Sequence, residues 1–165
     1  VLANCSASVC LERYTDRHNN ILQLLAEWLS SVKSADQSLY ADIPSEKWNS
    51  VDKIFKSTCR PDLVLVDKPN ISILELTICH ETNLVKSKQY KLSKYHNIHD
   101  HIQPHLRNYS VKTFTIEVST LGFISNCADF VKSMNLPKLS RSIMHTIIQS
   151  VLKSSHNIYC LRNSA

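Results

Sequence analysis

The chain has 165 residues, 43% hydrophobic and 20% charged, which is enough for one domain with a real core and excludes a disordered or fibrous protein. Its formal charge of +5, with eight histidines left uncounted, allows a polyanionic partner without requiring one. A lone glycine, Gly122, rules out a glycine-rich nucleotide loop, and no run approaches the roughly 18 apolar residues of a membrane helix.

In chain order, HNNILQLLAEWLSSVK (18–33) places Ile21, Leu24, Leu25, Trp28 and Leu29 at helical spacing, with Asn19 or Asn20 as cap. Residues 34–50 are polar and interrupted by Pro44, so a loop or short turn is expected. Val51, Ile54 and Phe55 fit either a short strand or a helical turn over 51–58. RPDLVLVDKPNISILELTI (60–78) then reads as two strands joined by a tight loop. NLVKSKQYKLSKYHNI (83–98) predicts a basic helix, and residues 100–110, with Pro104, a loop. VKTFTIEVS (111–119) alternates as a strand closed by Leu121-Gly122-Phe123. Two helices follow, over 125–134 and 138–154. Strands mixed with helices in this order predict an α/β sandwich.

The six cysteines form no Cys-x-x-Cys pair. In the absence of a secretion signal they are expected to be reduced thiols of a cytosolic or nuclear protein, most of them filling the core.

The hairpin carries the chemistry. If Val66 and Ile71 close the loop Asp67-Lys68-Pro69-Asn70, Asp62 faces Glu75 on one side of the sheet. A loop one residue shorter or longer would turn the two carboxylates to opposite faces. Facing carboxylates among apolar neighbours repel unless a cation lies between them. Mg²⁺, held by one or two carboxylates and a substrate phosphate, is the usual remedy, and an ordinary salt bridge to a nearby Lys or Arg is the plainer one. On the following helix Leu84, Lys88, Lys91, Tyr95 and Ile98 share a stripe, which turns Lys91 towards the sheet. A lysine there can position water or stabilise transition-state charge, or merely cover apolar surface with its stem.

Pro61-Asp62, Glu75 and the strand–hairpin–helix order resemble the PD-(D/E)XK restriction-like nucleases, except that Thr77 stands where that family has its strand lysine. A narrower likeness accounts for the exception. RPDLVLVD, ILELTICHETNLVKSKQYKLSKY, RYTDRHNNILQLLAEWL (13–29), FTIEVSTLGFIS (114–125) and IIQSVLKSSHNIYCLRN (147–163) resemble the C-terminal endonuclease region of non-LTR retrotransposon reverse transcriptase polyproteins. There the lysine moves to the helix in a Lys-x-x-Lys-Tyr motif, matched here by Lys91 to Tyr95.

The resemblance implies a restriction-endonuclease-like α-β-β-β-α-β core with extra C-terminal helices. It divides the single domain into 1–16, a linker remnant after a zinc knuckle, 17–135, the core, and 136–165, a helical extension. Cys5 would be an orphaned knuckle ligand of a longer polyprotein, so zinc is expected only if the upstream knuckle is present. The implied activity is nicking of target DNA to prime reverse transcription, in the nucleus after cytoplasmic synthesis. Mg²⁺ or Mn²⁺ is the implied cofactor, with no nucleotide, and the partners are DNA, element RNA and the rest of the polyprotein, without a membrane. Asp62 and Glu75 would hold the metal and Lys91 would act on water or charge. Thr77 and Tyr95 would give hydrogen-bonding support, and Glu27 is a further ligand candidate, read first as solvated. Arg60, Lys86, Lys88 and Lys94 would contact phosphates. Tyr90 and Tyr95 are expected to pack on the sheet before stacking on bases. A catalytically inactive nucleic-acid-binding or scaffold module of the same fold is the alternative, favoured by the missing strand lysine. A third reading is an unrelated small-molecule or protein-interaction α/β domain.

Overall fold

The computed structural model describes residues 8–56, 58–125 and 127–162, with side chains from 11 to 160. Cys5 lies outside them. The elements run α1 (Ser8–Val32), β1 (Ser38–Ala41), β2 (Leu63–Asp67), β3 (Asn70–Cys79), α2 (Leu84–Lys94), β4 (Ser110–Ser119), α3 (Ala128–Ser133) and α4 (Arg141–Arg162). The strands form a four-stranded mixed sheet in the order β1-β2-β3-β4. The β1–β2 and β2–β3 pairs are antiparallel and β3–β4 is parallel. A parallel neighbour needs a crossover connection, and α2 with the turns after it supplies one. The chain is thus mixed α/β.

Alternation on the strands builds two cores. Leu63, Leu65, Leu74 and Leu76 face the layer made by α1, α3 and α4, where Ile21, Leu25, Leu29, Phe130, Ile147 and Val151 are buried. Val64, Val66, Ile71 and Ile73 face the other way, onto Phe55, Ile98 and Ile102 from the irregular segments and onto Tyr95. With both faces covered, β2 and β3 read as nearly continuous apolar runs.

The hairpin pairs Val66 with Ile71 and Leu63 with Leu74, the register expected from the sequence. Pairing also reaches Asp67 and Asn70, and the Lys68–Pro69 peptide is cis. At the end of β4, Ser119 Oγ accepts from the N–H groups of Leu121 and Phe123. Gly122 occupies the turn at φ +94°, a conformation that side chains resist, and a Cβ there would meet Ile148 at 3.1 Å.

Several elements depart from the expectations. α1 begins at Ser8, so Asn19 and Asn20 are helix interior and not caps. Its first turns carry polar residues that no core requires, and propagation from a packed helix extends it through them. The first strand is β1, inside the segment read as loop. Leu39 and Ala41 face the helical layer and Tyr40 the other core, too short a pattern to register as a strand. Residues 51–53 form a 3₁₀ turn, the helical alternative for that stretch. α2 stops at Lys94, short of residue 98, and α3 and α4 start at 128 and 141. The segment 100–110 contains a 3₁₀ turn at Pro104–Leu106. Cys59, Cys79 and Cys127 are buried thiols. Among the described residues no helix is long and apolar enough to cross a membrane.

Leu74 lies 1% exposed on the central strand β3, against the helical layer. Leu74→Ala is expected to lower unfolding free energy by about 2–5 kcal/mol, read by urea denaturation.

Candidate active site

The ladder between β2 and β3 ends where the chemistry begins. One rung beyond Leu63–Leu74, Asp62 comes opposite Glu75, and the next rung would pair Pro61 with Leu76. Pro61 has no N–H to give, so backbone pairing stops there. Side chains take over. Asp62 Oδ2 accepts from the Leu76 N–H at 2.8 Å, and Glu75 Oε1 accepts from the Asp62 N–H at 3.0 Å. Each carboxylate is therefore fixed by the opposite strand's backbone.

Lys91, on α2, closes the arrangement. Its Nζ lies 2.6 Å from Glu75 Oε2 and 3.3 Å from Asp62 Oδ2. Glu75 is fully buried, whereas the lysine side chain keeps one-fifth of its surface exposed. His18 on α1 reaches the same aspartate, with Nε2 3.5 Å from Oδ2.

These contacts separate the acidities of the two carboxyls. Burial pushes Asp62 up, but the hydrogen bond from His18, the Lys91 charge and the Leu76 N–H outweigh it and hold Asp62 below its ordinary value. For Glu75, burial and then the Asp62 charge prevail over Lys91, and its pKa is raised. Burial alone would lower Lys91, but Asp62 and Glu75 raise it. Tyr95 is buried next to the pair, and burial followed by the Glu75 charge pushes its phenol far up, keeping it neutral.

Thr77 lies two residues beyond Glu75 on the same face and pairs with Glu117 of β4. Thr77 Oγ1 and Glu117 Oε1 are buried without a hydrogen-bond partner among the described residues. Two facing carboxylates with further buried oxygens nearby suit a hard divalent cation. Among the described residues no set of three His, Cys, Asp or Glu converges closely enough to hold a metal. The residues placed to hold such an ion are Asp62 and Glu75.

No protein-family model and no curated protein matches this chain.

The other candidates are dispersed. Lys86 borders a groove beside Thr77 and Lys91. Lys88 is exposed and borders a different cleft, with Thr113 and Phe114, so the shared stripe does not bring it to the carboxylates. Arg60 donates to Asp42 and Asp52, which already neutralise its charge. Lys94 lies over the Tyr95 ring and donates to its hydroxyl at 3.0 Å. Glu27 pairs with Lys47 at 3.0 Å. Tyr95 packs on the sheet as expected, but Tyr90 does not: its ring stands in solvent.

Two residues escaped the sequence reading. Glu117 is an acid within an apolar strand, the same signal that exposed Glu75. His18 had no such signal, because it follows Arg17 on a polar stretch of helix and its partner lies far along the chain.

The His18–Asp62 contact is testable by its titration. Burial lowers the imidazole pKa, but the Asp62 hydrogen bond and charge raise it above the ordinary 6.5. The stabilisation from the charged form is complete below about 6.5 and disappears as pH rises through the higher folded value. In metal-free NMR titrations His18 is expected to show a midpoint above 6.5, which Asp62→Asn lowers to below 6.5.

Proposed function

We propose that this chain is a divalent-metal-dependent DNA endonuclease of restriction-like architecture that nicks target DNA. The observation that carries this reading is the meeting of Asp62, Glu75 and Lys91 at the end of one hairpin, with the lysine supplied by the following helix. The element order α1-β1-β2-β3-α2-β4, with β4 parallel to β3, agrees with the α-β-β-β-α-β core that the sequence resemblance implies.

Bound Mg²⁺ would supply a water of lowered pKa and neutralise charge on the scissile phosphate. Asp62, kept ionised by His18 and Lys91, is the firmer ligand, and Glu75, whose pKa burial and the Asp62 charge raise, is the second. The backbone N–H groups that bind both carboxylates fix their separation before any ligand arrives. Lys91 then turns from the carboxylates to the substrate, holding the attacking water or donating to the phosphoryl oxygens as charge develops. His18 orients Asp62 and the neutral Tyr95 phenol lines the buried side of Glu75. Exposed Lys86 and Lys88 would contact phosphates without reading sequence. By the same resemblance, the 3′-hydroxyl left by the nick would prime reverse transcription in the nucleus, with element RNA and the remaining polyprotein as partners.

One observation favours a second reading. Lys91 bridges both carboxylates, as an ion pair with a purely structural role in a non-catalytic nucleic-acid-binding module would.

Nicking of supercoiled plasmid separates the two. With Mg²⁺ or Mn²⁺ the intact chain is expected to convert supercoiled to open-circular DNA. Asp62→Ala should abolish conversion, and Lys91→Ala should slow it about 100-fold or more. DNA binding without metal-dependent nicking would establish the binding module instead.

A further inference from the structure

A groove of about 500 Å³ runs between α2 and the end of β3, from Lys91 outward. Its lining includes Thr77, Asn83, Lys86, Ser87 and Tyr90. Of its two lysines Lys91 is paired with Asp62 and Glu75, and the exposed Lys86 supplies the charge that suits a phosphate, with no carboxylate among the described lining residues. Its inner end is the lysine that bridges Asp62 and Glu75. α2 contributes no buried residue, and the Tyr90 residue is 68% exposed on the groove wall. Lys86 stands one helical turn before Tyr90, with about 5–6 Å between such positions. A phosphate at Lys86 and a base on the Tyr90 ring fit that spacing.

We propose that this groove binds an unpaired DNA strand leading to the scissile phosphate, with one base stacked on Tyr90 and a phosphate held by Lys86. An exposed aromatic face binds a base that has left its own stack, and such stacking is indifferent to sequence. Within a duplex that face is already covered by the neighbouring base pair. The volume is that of a pocket for a drug-sized molecule, which takes a nucleotide or two and not a double helix. The preferred substrate class is consequently DNA with unpaired nucleotides beside the cut, such as a fork or a bubble. The inference deepens the endonuclease reading and rests on it for the identity of the strand as substrate.

The test compares fluorescein-labelled forked and blunt duplex DNA of the same sequence, using the whole chain. Binding is measured by anisotropy in EDTA, and cleavage in Mn²⁺. Tyr90→Ala is expected to weaken binding to the forked DNA about tenfold, with blunt duplex binding unchanged. Tyr90→Phe should restore it, because the ring and not the hydroxyl stacks, and restoration also excludes misfolding. Equal binding of forked DNA by the intact chain and Tyr90→Ala overturns the proposal, as does an equal loss on both substrates. A Tyr90-dependent preference for forked DNA without cleavage upholds the groove and rejects the nuclease. Cleavage without that preference upholds the nuclease and rejects the groove.

Discussion

Everything in this molecule that bears on chemistry depends on the interlocking of Asp62 and Glu75 with each other's strand. Pro61 ends the β2–β3 ladder, and the two carboxylates continue it by accepting the Leu76 and Asp62 amides. Charge is thereby held at the end of a rigid hairpin whose strands are otherwise mostly Leu, Val and Ile. A buried carboxylate is costly unless it is hydrogen-bonded and paired. Here the backbone supplies the hydrogen bonds and Lys91 the opposite charge, so the fold tolerates two acids where an apolar pair would pack without penalty.

The cost bears on function. Replacing buried ionic groups with apolar ones is often neutral or stabilising, so a buried ionic cluster is weak evidence for a structural role. The division within the pair is more telling. His18 and Lys91 favour the ionised form of Asp62, while burial and the Asp62 charge disfavour it for Glu75. Such separation places one charge securely and leaves the other responsive to what arrives, a cation above all. Lys91 is the lever, since its flexible stem reaches both oxygens from a helix that is otherwise exposed.

The hairpin was legible because its constraints are local. The strands are strongly apolar, a Lys-Pro turn joins them, and parity does the rest: once Val66 meets Ile71, Asp62 must face Glu75. Lys91 was legible from helical spacing, but the same stripe wrongly implied a common environment for Lys88. The stripe assumes a helix with a buried face, and α2 has no buried residue. β1 was hidden by its length, with only Leu39, Tyr40 and Ala41 as core signals. Arg60 looked like a free cation because its partners, Asp42 and Asp52, meet it only through the folding of the intervening loops. His18 was hidden for a similar reason, because its approach to Asp62 depends on how α1 lies across the sheet.

Mn²⁺ binding, followed by electron paramagnetic resonance, tests most directly whether Lys91 and a metal share one pair of carboxylates. If they do, the intact chain binds the ion and a Lys91→Ala variant binds it at least as tightly. The double variant Asp62→Asn, Glu75→Gln should bind none at the same site. Undiminished binding by the double variant, or weaker binding after Lys91→Ala, would contradict that sharing.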